Sequence, residues 1–412
     1  MRTTWSWIVR VLLAAACVFL AFRSAHIALA DLRAQRNGLD GLDAAIRLEP
    51  GDSVLVAREA LFRSNNDDLS PEVDRQLRHA AELDPLNADL PIALGLRAEF
   101  RGHPAEAERY LEHAAEIDHT FRPAWTLANF YFRSDQPDKS WPMIQRALNL
   151  DPLAFDPRPV FDLCWNLTSN SQKILGVIPS HGAISVQYLA YLMSRKRVDA
   201  AVELWPRAIQ AANGANPSEV QVVSAATDFM LQAGRAQDAT GIWNQLVDRK
   251  IIESGKLDPA AGLSIADSDF IFPLIEHGFG WRATHDPRVS VVKSFSSLRL
   301  EFDGNEPESS VLLATVAPLI AGKAYRLAWK TDASSLSSRR DAGFLVRVIQ
   351  EPGDVATECQ TMLQTGDHGA CQFTSRPDAD WAQISVMYKR ALGTTLVRGT
   401  LQIDNMKLGF GS

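Results

Sequence analysis

From Asp89 to Phe100 apolar residues recur at helical spacing, and after the break Arg101-Gly102-His103-Pro104 they do so again from Ala105 to Ile117. A short motif closes such pairs: Leu48–Pro50, Leu83–Pro85, the degenerate Glu116–Asp118, and Leu150–Pro152. Proline lacks the N–H a continuing helix needs, so it acts as a stop and a restart. The steps Leu48 to Leu83, Leu83 to Ile117 and Ile117 to Leu150 are 35, 34 and 33 residues. A period near 34 predicts two-helix units stacked into an α-solenoid. Past Lys250 this period fades. From about Phe270 short segments alternate with period two, among them SLRLEFDG, KAYRLAWKTD, GFLVRVIQ and WAQISVMYKR, set apart by Gly, Asp, Asn and Pro. That texture predicts an antiparallel β-sandwich. The expected organisation is a signal anchor or signal peptide over 1–30, helical repeats over 31–255, a linker over 256–269 and the sandwich over 270–412.

The N-terminus adds a location. Arg2 and Arg10 precede the uncharged run Val11–Phe22, and RSAHIALA follows, ending on Ala28-Leu29-Ala30. Positive residues ahead of an apolar run read as an export signal with the N-terminus held in the cytoplasm. Three fates stay open: an uncleaved anchor, cleavage after Ala30, and lipidation at Cys17; a buried helix of a cytosolic protein is the alternative to all three. The expected location is a bacterial inner membrane with one N-terminal span and the bulk of the chain periplasmic, or the periplasm after cleavage. A hydrophobic fraction of 46% and a charged fraction of 22% are those of folded domains. A net charge of −7, with no block of five basic residues, argues against a nucleic-acid partner.

Gly95, Ala107, Leu111 and Ala114, with Trp125 opening the next unit, resemble the tetratricopeptide repeat family. The same places hold Val73, Leu77, Ala80 and Pro85 one unit earlier and Ser140, Ile144, Ala147 and Pro152 one unit later. Later units keep Ala201, Trp205 and Ala208, then Ala239 and Trp243; His119, Asn129 and the stretch Asp156–Ile184 depart from the pattern. The resemblance, over about Leu39 to Lys250, implies a concave face that holds a protein partner. Asp89, Ile92, Leu96, Glu99, Thr126, Phe130 and Arg133 are its candidate groove residues. Downstream, GFGWR, LRLEFDG, YRLAW and IDNMKL resemble carbohydrate-binding jelly rolls of the galactose-binding type. The whole is similar in architecture to envelope proteins associated with bacterial exopolysaccharide production. This implies a non-enzymatic scaffold with an envelope protein partner, and a polysaccharide as a further one; a glycan-binding protein or a polysaccharide hydrolase is the alternative.

Alternation assigns Ala382, Ile384, Val386 and Tyr388 to the sandwich core and leaves Trp381 and Gln383 opposite. Arg299, Glu301 and Arg347 also fall on non-core sides. An aromatic ring beside amides and charges suits sugar recognition, so these five are the candidate carbohydrate residues, with packing under a loop or against the helices the alternative for Trp381. Cys359 and Cys371 flank a short loop and either pair, as export permits, or remain thiols on separate strands; Cys164 is core. Asp303, Asp404 and Asn405 are strand-end oxygens that such jelly rolls use for calcium, or plain turn residues. His79, His103, His113 and His119 lack metal-ligand spacing, and His277 and His285 have no evident acid partner. No cofactor or metal is expected, and no GxSxG, phosphate loop or HExxH occurs.

Overall fold

A computed structural model of the chain describes residues 2–35, 38–66, 69–150, 155–180, 182–337, 343–352, 355–360, 368–390, 393 and 396–411. The chain divides into two compact units, Met1–Val177 and Ile178–Ser412.

The first unit is helical: α1 (Arg2–Ala34), α2 (Gly38–Leu48), α3 (Ser53–Asn65), α4 (Pro71–Leu83), α5 (Asp89–Phe100), α6 (Pro104–Ile117), α7 (Phe121–Arg133), α8 (Pro137–Leu148), α9 (Arg158–Leu167) and α10 (Ser171–Leu175). The closing motifs end second helices, since α2, α4 and α6 stop at Leu48, Leu83 and Ile117. Pro152, expected to close a later unit, lies outside the described residues. Starts are encoded too. Ser70 caps α4 by accepting from the Val73 N–H, Asp52 caps α3 at Val54 and Leu55, and Pro71, Pro104 and Pro137 fill first-turn positions where no N–H is needed. Small residues sit at the crossings: a Cβ on Gly95 would lie 2.7 Å from Leu111 Cγ, so α5 and α6 approach only because that side chain is missing.

Burial proceeds in steps. Ala30, Ala34, Leu42, Ala45 and Leu55 form one cluster; Val56, Ala60, Val73, Leu77, Leu90 and Leu94 belong to the next; Ile92, Ala107, Leu111, Leu127, Phe130 and Tyr131 belong to a third. Each helix pair covers its neighbour's apolar face, cluster after cluster along the described residues, which makes this a stack of tetratricopeptide-like repeats.

The second unit opens with α11 (Ala183–Ser194), α12 (Val198–Ala211), α13 (Pro217–Gln232) and α14 (Ala236–Asp248). Residues 256–269, expected as a linker, are tied down. The Asn244 amide donates to the Leu257 carbonyl and accepts from its N–H, and Trp243 Nε1 donates to the Gly255 carbonyl. Among the described residues ten strands follow: β1 (Arg282–Ala283), β2 (Val289–Ser294), β3 (Ser297–Asp303), β4 (Ser309–Pro318), β5 (Ala324–Asp332), β6 (Phe344–Glu351), β7 (Val355–Gln360), β8 (His368–Thr374), β9 (Trp381–Lys389) and β10 (Arg398–Phe410). They form two antiparallel sheets ordered β1-β4-β9-β6-β7 and β2-β3-β10-β5-β8. Leu298, Leu300 and Phe302 of one sheet and Ile384, Val386 and Tyr388 of the other fill the space between. Cys359 and Cys371, with Cα atoms 5.7 Å apart, are bonded and join the edge strands β7 and β8 of the two sheets.

Candidate functional site

A groove of about 460 Å³ opens on the first helices of the stack. Leu61, Ser64 and Asn65 come from α3, Asp89, Ile92, Leu96 and Phe100 from α5, and Arg122 from α7. First helices of successive pairs lie side by side, so one side chain per turn from each reaches the same trough.

The charges of this wall are matched within it. Arg122 donates to Asp89 at 2.5 Å, and Arg133 makes a two-pronged contact with Glu99 at 2.7 Å for each prong. Both pairs link α5 to α7, 33 and 34 residues apart, so the repeat period sets the ion-pair period. Deeper in, Arg97 and Arg101 both bond Asp74. Burial alone raises the Asp74 carboxyl, but hydrogen bonds from Arg101 and Arg97 outweigh it and hold the group below the usual carboxylate range. Apolar surface also stays open in the groove: Leu96 is 41% exposed, Leu69 42% and Phe100 75%.

The seven expected groove residues therefore divide. Asp89, Ile92 and Leu96 line the groove. Glu99 and Arg133 are joined to each other. Thr126 is half-buried and donates to the Arg122 carbonyl. Phe130 is a correction: it is wholly buried among Leu111, Ala114 and Leu127 and offers nothing to a partner. Helical periodicity gives a residue's face but not which helix covers that face. Phe100 was missed for the complementary reason, since its position at the end of α5 beside a turn leaves it uncovered.

The five candidate carbohydrate residues are not brought together. Trp381, Gln383 and Arg347 point outward from the sheet holding β9 and β6, whereas Arg299 and Glu301 point outward from β3 in the other sheet. The two sets occupy opposite outer faces of the sandwich. Alternation separates inside from outside on each strand but cannot say which sheet a strand joins. Trp381 is half-buried, and Ser385 between Gln383 and the next outward position is buried. The calcium candidates are likewise dispersed: Asp303 is in register with Arg398, six residues from Asp404 along β10, or about 20 Å at strand rise. Asp404 instead accepts from Gln402 and Lys330. Among the described residues no group of three or more His, Cys, Asp and Glu could hold a metal.

His277 does have an acid partner. Asp228 of α13 meets its Nδ1 at 2.8 Å, accepts from the Gly278 N–H at 2.8 Å and from Arg282 at 2.7 Å. Gly278 has φ +55°, and a Cβ there would strike Thr227 and Trp243. The GFGWR motif is thus a seam: Phe279 packs edge-on to Trp243 of α14, and Trp281 packs with Phe270 in the sandwich core. The acid lies 49 residues upstream of His277, beyond what local spacing reveals. His285 similarly stands 3.4 Å from Glu276.

No protein-family model matches this chain. A stretch of 93 residues, 22% of the chain, is 33% identical to the antiviral innate immune response effector IFIT1 of Macaca fascicularis, and it spans 19% of that protein's length. Among solved structures the chain is similar to YrrB, described as a TPR protein with an unusual peptide-binding site, at 15% identity over 51% of this chain and 93% of that one, with a TM-score of 0.27. It is also similar to a structure described as CBM4, at 17% identity over 36% of this chain and 100% of that one, with a TM-score of 0.26.

Proposed function

We propose that this protein is a non-enzymatic scaffold of the bacterial envelope, holding a protein partner through its helical repeats in polysaccharide synthesis or export. The observation that carries the partner reading is the groove beside α5: its charges satisfy one another while Leu96 and Phe100 stay open above Ile92 and Ala93. Exposed apolar side chains rimmed by fixed ion pairs suit a partner segment that buries aliphatic or aromatic residues. Support for the envelope comes from Arg2 ahead of, and Arg10 at the start of, the one helix among the described residues long and apolar enough to cross a membrane, Arg10–Ala34. A bonded Cys359–Cys371 pair suits an oxidising compartment. Involvement with polysaccharide rests on the likeness of the combined architecture. To test the groove, a photo-crosslinker is placed at Leu96 in living cells, with His113 on the exposed side of α6 as control. One discrete envelope-protein adduct at position 96, lost in Phe100→Asp, is expected; equal adducts at both positions sink the reading.

A second reading draws on Trp381, Gln383 and Arg347 sharing one outer face: the sandwich holds a glycan there. Trp381→Ala is then expected to abolish retention on a polysaccharide column with the melting temperature unchanged. Loss of stability with retention intact returns Trp381 to a packing role.

A further inference from the structure

We infer that α1 is kept in the mature protein as a membrane anchor whose lipid-facing part ends at Phe22, and whose last turns are the opening helix of the repeat stack. The inference rests on the export reading above and settles what that reading left open.

Three observations carry it. First, Arg23 and His26 of α1 meet the Glu49 carboxylate just past the end of α2, at 2.8 and 2.7 Å, and that carboxylate is only 12% exposed. Second, Ala30 and Ala34 are 2% and 7% exposed, packed with Leu42, Ala45 and Leu55. Third, the residues ahead of Arg23 behave differently: Val11, Leu12, Leu13, Val18, Phe19, Leu20 and Phe22 are all more than half exposed along a continuous helix. One helix therefore changes character at Arg23: ahead of it the helix is apolar and unpartnered all round, and from it onward one stripe, Arg23, His26, Ala30 and Ala34, is docked while Ile27, Leu29 and Leu32 on the other side stay exposed.

The small-residue triplet that invites cleavage, Ala28-Leu29-Ala30, ends on a docked residue: Ala30 is buried, while Ala28 and Leu29 are exposed. A peptidase needs its scissile segment extended, whereas here that segment is helical with Ala30 against α2. Cutting after Ala30 would also remove both side-chain partners of Glu49 and uncover Leu42 and Ala45.

Length agrees with the changeover. A span cannot run on to Ala30, because Arg23 and His26 are held at Glu49. The 12 residues Val11–Phe22 rise about 18 Å, short of the roughly 30 Å of hydrocarbon. The helix continues back to Arg2, and the 20 residues from Thr3 to Phe22 rise about 30 Å, with Arg10 the one charge. Helical side chains lean toward the N-terminus, so Arg10 reaches its head toward the cytoplasmic surface. The first repeat then begins directly at the outer surface, with no flexible tether between lipid and solenoid.

The test uses the full chain with a C-terminal tag in a bacterial host. N-terminal sequencing and intact mass are read on the membrane fraction, and spheroplasts carrying Ser24→Cys are treated with a membrane-impermeant maleimide. Expected are a chain that retains the residues ahead of Arg23, pellets with membranes, and labels at position 24 while native Cys17 stays unlabelled. A chain beginning at Asp31, recovery without detergent in the soluble fraction, or equal labelling at positions 17 and 24 overturns the inference. An intact, membrane-bound chain labelled at position 24 only after lysis supports retention and overturns the periplasmic orientation instead. The Leu96 crosslink reads the groove independently of all these outcomes.

Discussion

The repeats of the first unit and the sandwich of the second bury apolar surface in opposite ways. In the repeats, Leu111 packs within its own pair and the pair beside it, inside one of several separate clusters. In the sandwich, Leu300 lies in one continuous core drawn from strands as distant as β3 and β10, which pair Leu300 with Leu401. Stability in the first is a sum of neighbour terms and in the second a shared property.

The same substitution in each region is the strongest way to break that contrast. Leu300→Ala and Leu111→Ala each remove a fully buried side chain and should each cost about 2–5 kcal/mol. Hydrogen exchange is the discriminating measurement: protection should fall across all strands of the sandwich in Leu300→Ala, but mainly over α5 to α7 in Leu111→Ala. Uniform loss through the first unit in the latter would show a cooperative core where the contacts show steps. Next in size, Cys371→Ser releases the two sheet edges and should lower sandwich stability by about 3 kcal/mol in denaturant titration, as expected for a closed loop of this length, with the repeat transition unmoved.

Gly95→Ala is the sharper probe of the helix crossing. An exposed helical glycine gains stability on becoming alanine, yet here the added methyl meets Leu111 Cγ at 2.7 Å, and a loss of about 1–3 kcal/mol is expected. A gain in thermal melting would mean that the crossing has room for the methyl group. The smallest effect concerns pH. Asp74 is held below the ordinary carboxylate range, so its contribution is fully present above that range and is lost as pH falls through its folded-state value. Between pH 7 and 3 the first unit should lose stability faster in the parent chain than in Asp74→Asn; parallel curves would dismiss the Arg97–Asp74–Arg101 cluster as a source of acid sensitivity.

The two regions also differ in how far their sites could be read. The span of α5 was legible to the residue, because its periodicity, flanking turn and closing motif are all local. Asp89, Ile92 and Leu96 reached the groove on that basis. Phe130 did not, because the helices that cover it lie outside its own pattern. In the sandwich, inside and outside were legible strand by strand, as Ile384 and Tyr388 show. The company each outward residue keeps was not, and Arg299 and Trp381 ended on opposite sheets.

From sequence alone came the solenoid followed by a sandwich, the helix ends, and the faces of the strands, because caps, prolines and periods act within a few residues of where they are written. Only the folded chain decided that Asp228 holds His277 and Arg282, that edge strands β7 and β8 share a disulfide, and that α1 docks along one stripe from Arg23 onward. Those contacts join residues 12 to 54 positions apart, and which partners meet is set by how helices stack and which sheet each strand enters, a choice no local pattern encodes.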